Sequence, residues 1–168
     1  MAAQAAMQRP KLVVVDTNIL IHRAANSAPA NNLLLRLVRM GFTTVVTPTV
    51  VQELAYGADH AATVELKGLF MLALSDMIQW GVQPFNLKPV GNGICEIVAN
   101  VIADRGLLPE HEKNDACILI ESSFTAAAML ITWDNHLLRA DNAALNEVLK
   151  SFDLHPVQIV RPELILEK

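Results

Sequence analysis

Four carboxylates, Asp16, Glu53, Asp115 and Asp134, stand where this 168-residue chain could bring them into one site. Asp16 directly follows the apolar run Lys11 to Val15, and Asp134 comes two residues after Thr132, which closes the run Ala128 to Thr132. If these runs are neighbouring parallel strands, both carboxylates reach the sheet edge where ligands of α/β domains bind. Glu53 and Asp115 fall on predicted helices beside that edge. Gathered carboxylates repel one another and hold protons too tightly unless a cation joins them, so such a group makes chemical sense as a hard-metal site. Magnesium and manganese favour oxygen ligands of this kind. Zinc is disfavoured, because His22, His60, His111, His136 and His155 show no HxxxH spacing.

The elements that must position these acids follow from hydrophobic period and punctuation. KLVVV at 11 to 15 is nearly all β-branched and apolar, the pattern of a strand buried on both faces. Asn31 to Met40 has helical spacing, Gly41 stops it, and Phe42 to Val46 is a second strand. Thr47 as N-cap and Pro48 at the first turn begin a helix containing Glu53, with Gly57 placed to end it. Residues 60 to 80 form a long helix apolar on more than one face, which suggests burial against the core and a partner helix. Val82 to Phe85 is an edge strand because Pro84 cannot donate to a ladder, and Asn92 to Asp104 is helical before Gly106. Gly91-Asn92-Gly93 is a turn and helix start, not a phosphate loop, since no third glycine follows. Lys113 to Phe124 is a helix, another follows the loop Trp133 to His136 and runs to about Leu149, Pro156 to Val160 is the last strand, and Pro162 opens a short surface helix. The alternation predicts one three-layer α/β domain with a mostly parallel sheet over 11–168, after a flexible extension over 1–10.

DTNILI at 16 to 21, TPTVVQEL ending at Leu54, NDACILIES at 114 to 122 and ITWDNHL at 131 to 137 together resemble the PIN domain family. The resemblance covers about residues 11 to 160, with the four acids in family order, 37, 62 and 19 residues apart. It implies a Rossmann-like sheet, one or two Mg²⁺ or Mn²⁺ ions, and hydrolysis of RNA, often by a homodimer. On that pattern Asp16, Asp115 and Asp134 bind metal directly or through water, and Glu53 joins them or orients the attacking water. Thr17, Asn18 and Thr132 form the supporting polar shell. Trp133 replaces a basic or small polar residue and could stack on a base. Arg23 is the first choice for a phosphate-facing residue, ahead of Arg36, Arg39 and Arg139. The expected function is an endoribonuclease, either a VapC-like toxin with an antitoxin partner or an RNA-processing enzyme. The alternatives are a PIN-like module without turnover that binds RNA or protein, and a DNA-directed 5′ or flap-type nuclease.

Plainer roles compete for the same residues. Asp16 suits a helix cap, Asp134 a turn, Glu53 a solvated helix face, and Glu112 a loop or cap, while Glu121 reads as exposed. A lone loop histidine such as His136 is seldom catalytic. Composition sets the outer limits. Apolar residues make up 52% of the chain and charged residues 18%, which excludes a disordered linker. The longest run without Asp, Glu, Lys or Arg is the thirteen residues between Arg39 and Glu53, too short for a membrane span. The N-terminus has no basic segment ahead of an apolar one, and Cys95 and Cys117 read as thiols in a reducing compartment, so a cytoplasmic protein is expected. A net charge of −4 does not exclude a nucleic-acid partner, because four acids assigned to a metal leave 13 acids against 13 Lys and Arg.

Overall fold

The structure is a computed structural model that describes the backbone of residues 11–86 and 89–167, and side chains over 11–86 and 93–167. The extension predicted over residues 1–10 lies outside the described residues.

Five strands form one parallel sheet: β1 (Lys11–Val15), β2 (Phe42–Val46), β3 (Val82–Pro84), β4 (Met129–Ile131) and β5 (Gln158–Val160). Their order is β3-β2-β1-β4-β5. The chain winds outward through β2 and β3, then returns across β1 to start β4 on its other side. The topological switch therefore lies between β1 and β4, with Val14 opposite Val45 on one side and Val15 opposite Ile131 on the other. Burial on both faces explains the sequence of β1, where Val13, Val14 and Val15 are fully buried.

Nine helices cover this sheet among the described residues: α1 (Thr17–Ala24), α2 (Ala28–Arg39), α3 (Pro48–His60), α4 (Val64–Asp76), α5 (Pro89–Asp104), α6 (Lys113–Phe124), α7 (Asn135–Arg139), α8 (Asn142–Ser151) and α9 (Pro162–Leu166). None is long and apolar enough to cross a membrane. Several boundaries differ from the sequence reading for local reasons. α2 begins three residues early because Ser27 and Pro29 suit a first turn. The helix expected over 60 to 80 is shorter, opened by Thr63, whose Oγ1 accepts the Leu66 N–H at 3.1 Å. One predicted helix is two, because the Asp141 side chain accepts from Ala143 and Ala144 and starts α8 afresh. The Gly91-Asn92-Gly93 segment lies within the first turns of α5. α9 is docked against α2 with Pro162 and Ile165 buried, not simply laid on the surface.

Gly57 corrects a larger expectation. It does not end α3, which continues to His60. It is buried where α4 crosses, and a Cβ there would meet the Phe70 ring at 2.4 Å. The glycine is needed for close helix approach, not for a stop. α4 itself buries only Ala73 fully and leaves Val64, Met71 and Leu72 exposed, so the second covered face expected for it is not covered by the described residues. Gly57→Val is expected to lower stability by about 1–3 kcal/mol through overpacking. Urea unfolding would register this as a lower midpoint with an unchanged slope, and an unchanged midpoint would mean that Phe70 swings aside freely.

Candidate metal centre

The polypeptide brings Asp16 and Asp134 together by ending two adjacent strands at the same level. Asp16 N donates to Ile131 O at 3.0 Å, continuing the β1–β4 ladder by one bond. Beyond it, side chains close the crevice. Thr132 Oγ1 donates to Asp16 Oδ2 at 2.6 Å and accepts from Asn18 Nδ2 at 3.0 Å and Asp134 N at 2.7 Å. Asn18 Nδ2 also donates to Asp16 Oδ2 at 2.6 Å, while its Oδ1 accepts the Trp133 N–H at 3.2 Å. Thr17, Asn18 and Thr132 thus form a polar shell around the acids.

Asp16 and Asp134 are also helix caps. Asp16 Oδ1 accepts from Thr17 N at 2.6 Å at the start of α1, and Asp134 Oδ1 accepts from His136 N and Leu137 N at the start of α7. Capping occupies one oxygen of Asp134 and leaves the other available, so the plain role and the chemical one coexist. Asp115 lies in the first turn of α6. Three of the four acids therefore stand at helix N-termini, whose unpaired N–H groups partly offset negative charge. Glu53, on α3, receives Thr17 Oγ1 on one oxygen and Asn114 Nδ2 at 2.9 Å on the other.

All four carboxylates line one pocket of about 300 Å³, with Thr17, Asn18, Ile21, His22 and Phe70. Burial pushes the Asp16 carboxyl up to about 6, and Glu53 and Asp134 add repulsion, against the lowering hydrogen bonds from Thr132 and Thr17. Asp115 is pushed to about 8, first by burial and then by Asp134, Asp16, Glu112 and Glu53. Its Oδ2 is buried and has no hydrogen-bond partner. A buried carboxylate oxygen without a partner, on a residue that shares its pocket with three other acids and is repelled by them, is the observation expected of a cation site, and the donor set suits a hard ion.

Solved structures of low sequence identity share this architecture over most of the chain. A chain of the VapBC2 structure from Rickettsia felis, bound to a promoter DNA fragment, aligns with TM-score 0.59 and 14% identity, covering 89% of this chain and 98% of that one. VapBC-5 from Mycobacterium tuberculosis gives 0.55 at 19% identity, covering 90% and 99%. VapBC-1 from nontypeable Haemophilus influenzae gives 0.56 at 18%, covering 90% and 98%. The chain has a PIN-like fold. No protein-family profile matches the sequence, and no curated protein matches it significantly.

Within this PIN-like domain, the remaining predicted residues occupy different places. Trp133 packs its ring 4.9 Å from that of His22 and donates Nε1–H to Glu163 at 2.8 Å, so its indole is held at the pocket rim by α9. Arg23 is elsewhere, with its guanidinium 4.7 Å from the Trp80 ring centroid in a separate cavity against α2. One residue along a helix turns about 100°, so His22 and Arg23 cannot both face the pocket. Glu121, expected to be exposed, is buried. It accepts from Thr49 N at 3.0 Å and Thr49 Oγ1 at 2.9 Å, closing the N-terminus of α3, and burial raises its proton affinity. That contact fixes the helix carrying Glu53.

Asn114 is not singled out by the sequence reading, and Glu112 and His136, which have plainer roles in that reading, also stand beside the acids. Asn114 holds Glu53, and its position beside Asp115 was the only available signal. Glu112 and His136 meet at 2.6 Å, and His136, Asp115 and Asp134 offer ligand atoms within 4.8 Å of one another. Cys95 is buried and Cys117 half-buried, both as free thiols. Thr132→Val is expected to weaken Mn²⁺ binding about tenfold, the size of effect typical of a lost supporting hydrogen bond. Calorimetric titration checks this, and an unchanged affinity would remove Thr132 from the role of fixing Asp16.

Proposed function

We propose that this domain is a metal-dependent endoribonuclease. The observation carrying that reading is the convergence of Asp115, whose buried Oδ2 has no hydrogen-bond partner among the described residues, with Asp16, Glu53 and Asp134 on one pocket. Asp16, Asp115 and Asp134 would hold Mg²⁺ or Mn²⁺, and the ion, when bound, supplies charge stabilisation to phosphoryl oxygens and acidity to bound water. Glu53 is suited to orient that water, because Thr17 and Asn114 fix both of its oxygens. Asn18 and Thr132 fix Asp16 at the strand ends by both donating to its Oδ2. Among the described residues lining the pocket there is no Lys or Arg, so on this reading a bound ion supplies the positive charge that faces a phosphodiester there.

A second cavity of about 590 Å³ adjoins the first and shares Thr17, Glu53 and Phe70 with it. Tyr56 and His60 stack at 4.2 Å on its wall, and Gln52 and Asn114 offer amide groups. An aromatic wall with convergent amides favours a single-stranded nucleic acid, whose base can leave the helix stack.

The Mycobacterium tuberculosis neighbour belongs to the VapBC family of toxin-antitoxin systems. By that likeness the reading extends to a cytoplasmic toxin with an antitoxin partner, and the exposed Val64, Met71 and Leu72 of α4 suit a homodimer face. Light scattering giving twice the chain mass supports the dimer. End-labelled RNA and DNA oligonucleotides, incubated with Mn²⁺, Mg²⁺ or EDTA, test the central claim. RNA cleavage abolished by EDTA is the expected result. Cleavage of DNA alone would assign a DNA nuclease, and metal binding without cleavage of either would assign a binding module.

A further inference from the structure

A second group of ligating side chains lies outside the four acids. His111 and Glu112 belong to the 3-10 turn Glu110–Glu112 that leads into α6, and His136 to the first turn of α7. His136 Nδ1 lies 2.6 Å and His111 Nε2 3.4 Å from the same oxygen, Glu112 Oε1. The two imidazoles meet edge to face with centroids 6.1 Å apart. One ligand atom from each of the three residues falls within 4.8 Å of the others.

We propose that His111, Glu112 and His136 form a separate site for a borderline divalent ion such as Zn²⁺, beside the carboxylate pocket. Two imidazole nitrogens and one carboxylate are the donor set that zinc takes with an open fourth position, whereas Mg²⁺ prefers oxygen alone. Metal–ligand bonds of about 2.0–2.2 Å at tetrahedral angles place ligand atoms about 3.4 Å apart. The His111 to Glu112 separation of 3.4 Å already matches that spacing, and the His136 to Glu112 contact of 2.6 Å must open by about 0.8 Å. His111 is 76% exposed and His136 44%, so a small rotation of either ring is unhindered. His136 also belongs to the group with Asp115 and Asp134, so the open position of the ion would border the acidic pocket. The site does not depend on the nuclease reading.

The test is calorimetric titration of the full chain with ZnCl₂ in excess MgCl₂, which keeps the oxygen-only site occupied. Wild type is expected to bind Zn²⁺, and His111→Ala and His136→Ala each to lose at least about tenfold in affinity, the range by which even supporting residues change metal binding. Asp16→Asn and Glu53→Gln are expected to stay within about threefold of wild type. Co²⁺ gives an independent readout: visible bands of the intensity of a low-coordinate, nitrogen-bound ion are expected in wild type and lost in His111→Ala. Zn²⁺ affinity unchanged by His111→Ala, or lost in Asp16→Asn and Glu53→Gln instead, would overturn the proposal.

Discussion

In EDTA the protein is expected to melt about 10 °C lower at pH 8 than at pH 5, from a stability difference of about 3 kcal/mol in a chain of this length. The sign follows from Asp16 and Asp115, whose carboxyls are raised from 3.8 to about 6 and about 8 in the folded state. A carboxyl that binds its proton more tightly when folded gives the native state more protons than the unfolded chain, so stability falls with rising pH. For Asp16 the loss runs from about pH 4 to pH 6, and for Asp115 from about pH 4 to pH 8. Each pKa unit corresponds to about 1.4 kcal/mol, and the two separate sums are discounted because the acids share part of their mutual repulsion. Mn²⁺ should reverse the trend. The ion competes with protons for the same oxygens, and at a hundred times its dissociation constant a ligand adds about 2.7 kcal/mol. The rise in melting temperature on adding Mn²⁺ should therefore be larger at pH 8 than at pH 5. Scanning calorimetry at both pH values, with and without Mn²⁺, decides it, and a melting temperature in EDTA that stays level or climbs with pH would count against a repulsive acid cluster.

Asp115→Asn should stabilise the metal-free protein and remove its activity. Substitution by an amide of the same shape deletes the most strongly perturbed charge in the pocket and lets the new N–H₂ group donate to a neighbouring carboxylate. A gain of about 1–3 kcal/mol at pH 8 is expected, as for other residues that function holds in an unfavourable state. On the proposed function the same change removes a metal ligand, and RNA cleavage should fall by at least about 10²–10³-fold, the usual cost of losing a transition-state charge contact. The two readouts together separate a chemical role from a structural one. A variant that lost activity by losing its fold would melt earlier, and one that kept activity would take Asp115 out of the metal centre. The pH dependence in EDTA should flatten above pH 6 in this variant, because only Asp16 remains strongly shifted.

Much of the placement of the candidate site was legible in the chain because its logic is local. β1 declares itself by Val13, Val14 and Val15, and a strand buried on both faces must end with a polar residue at its carboxyl edge, where Asp16 stands. The segment from Ile131 to Asp134 repeats that pattern, and a parallel sheet superimposes the two ends. Thr47 and Pro48 marked the start of α3 through capping chemistry that involves only neighbouring residues.

Other features depended on how helices pack, and short-range patterns do not encode that. Gly57 has the composition of a stop and the role of a crossing point, because its neighbour Phe70 comes from another helix. Glu121 looks solvated in sequence, yet α3 offers it the Thr49 N–H and hydroxyl across the interface with α6. Arg23 follows a pocket residue in sequence but turns away from the pocket in space. His111 and His136, 25 residues apart, share no spacing rule, and only the packing of the turn before α6 against the start of α7 brings them to one carboxylate. The chain's local preferences specified its strands, its caps and the level of the acids on the sheet. The angles at which helices meet, set by the summed contacts of many distant residues, specified which side chains share a pocket and which are kept apart.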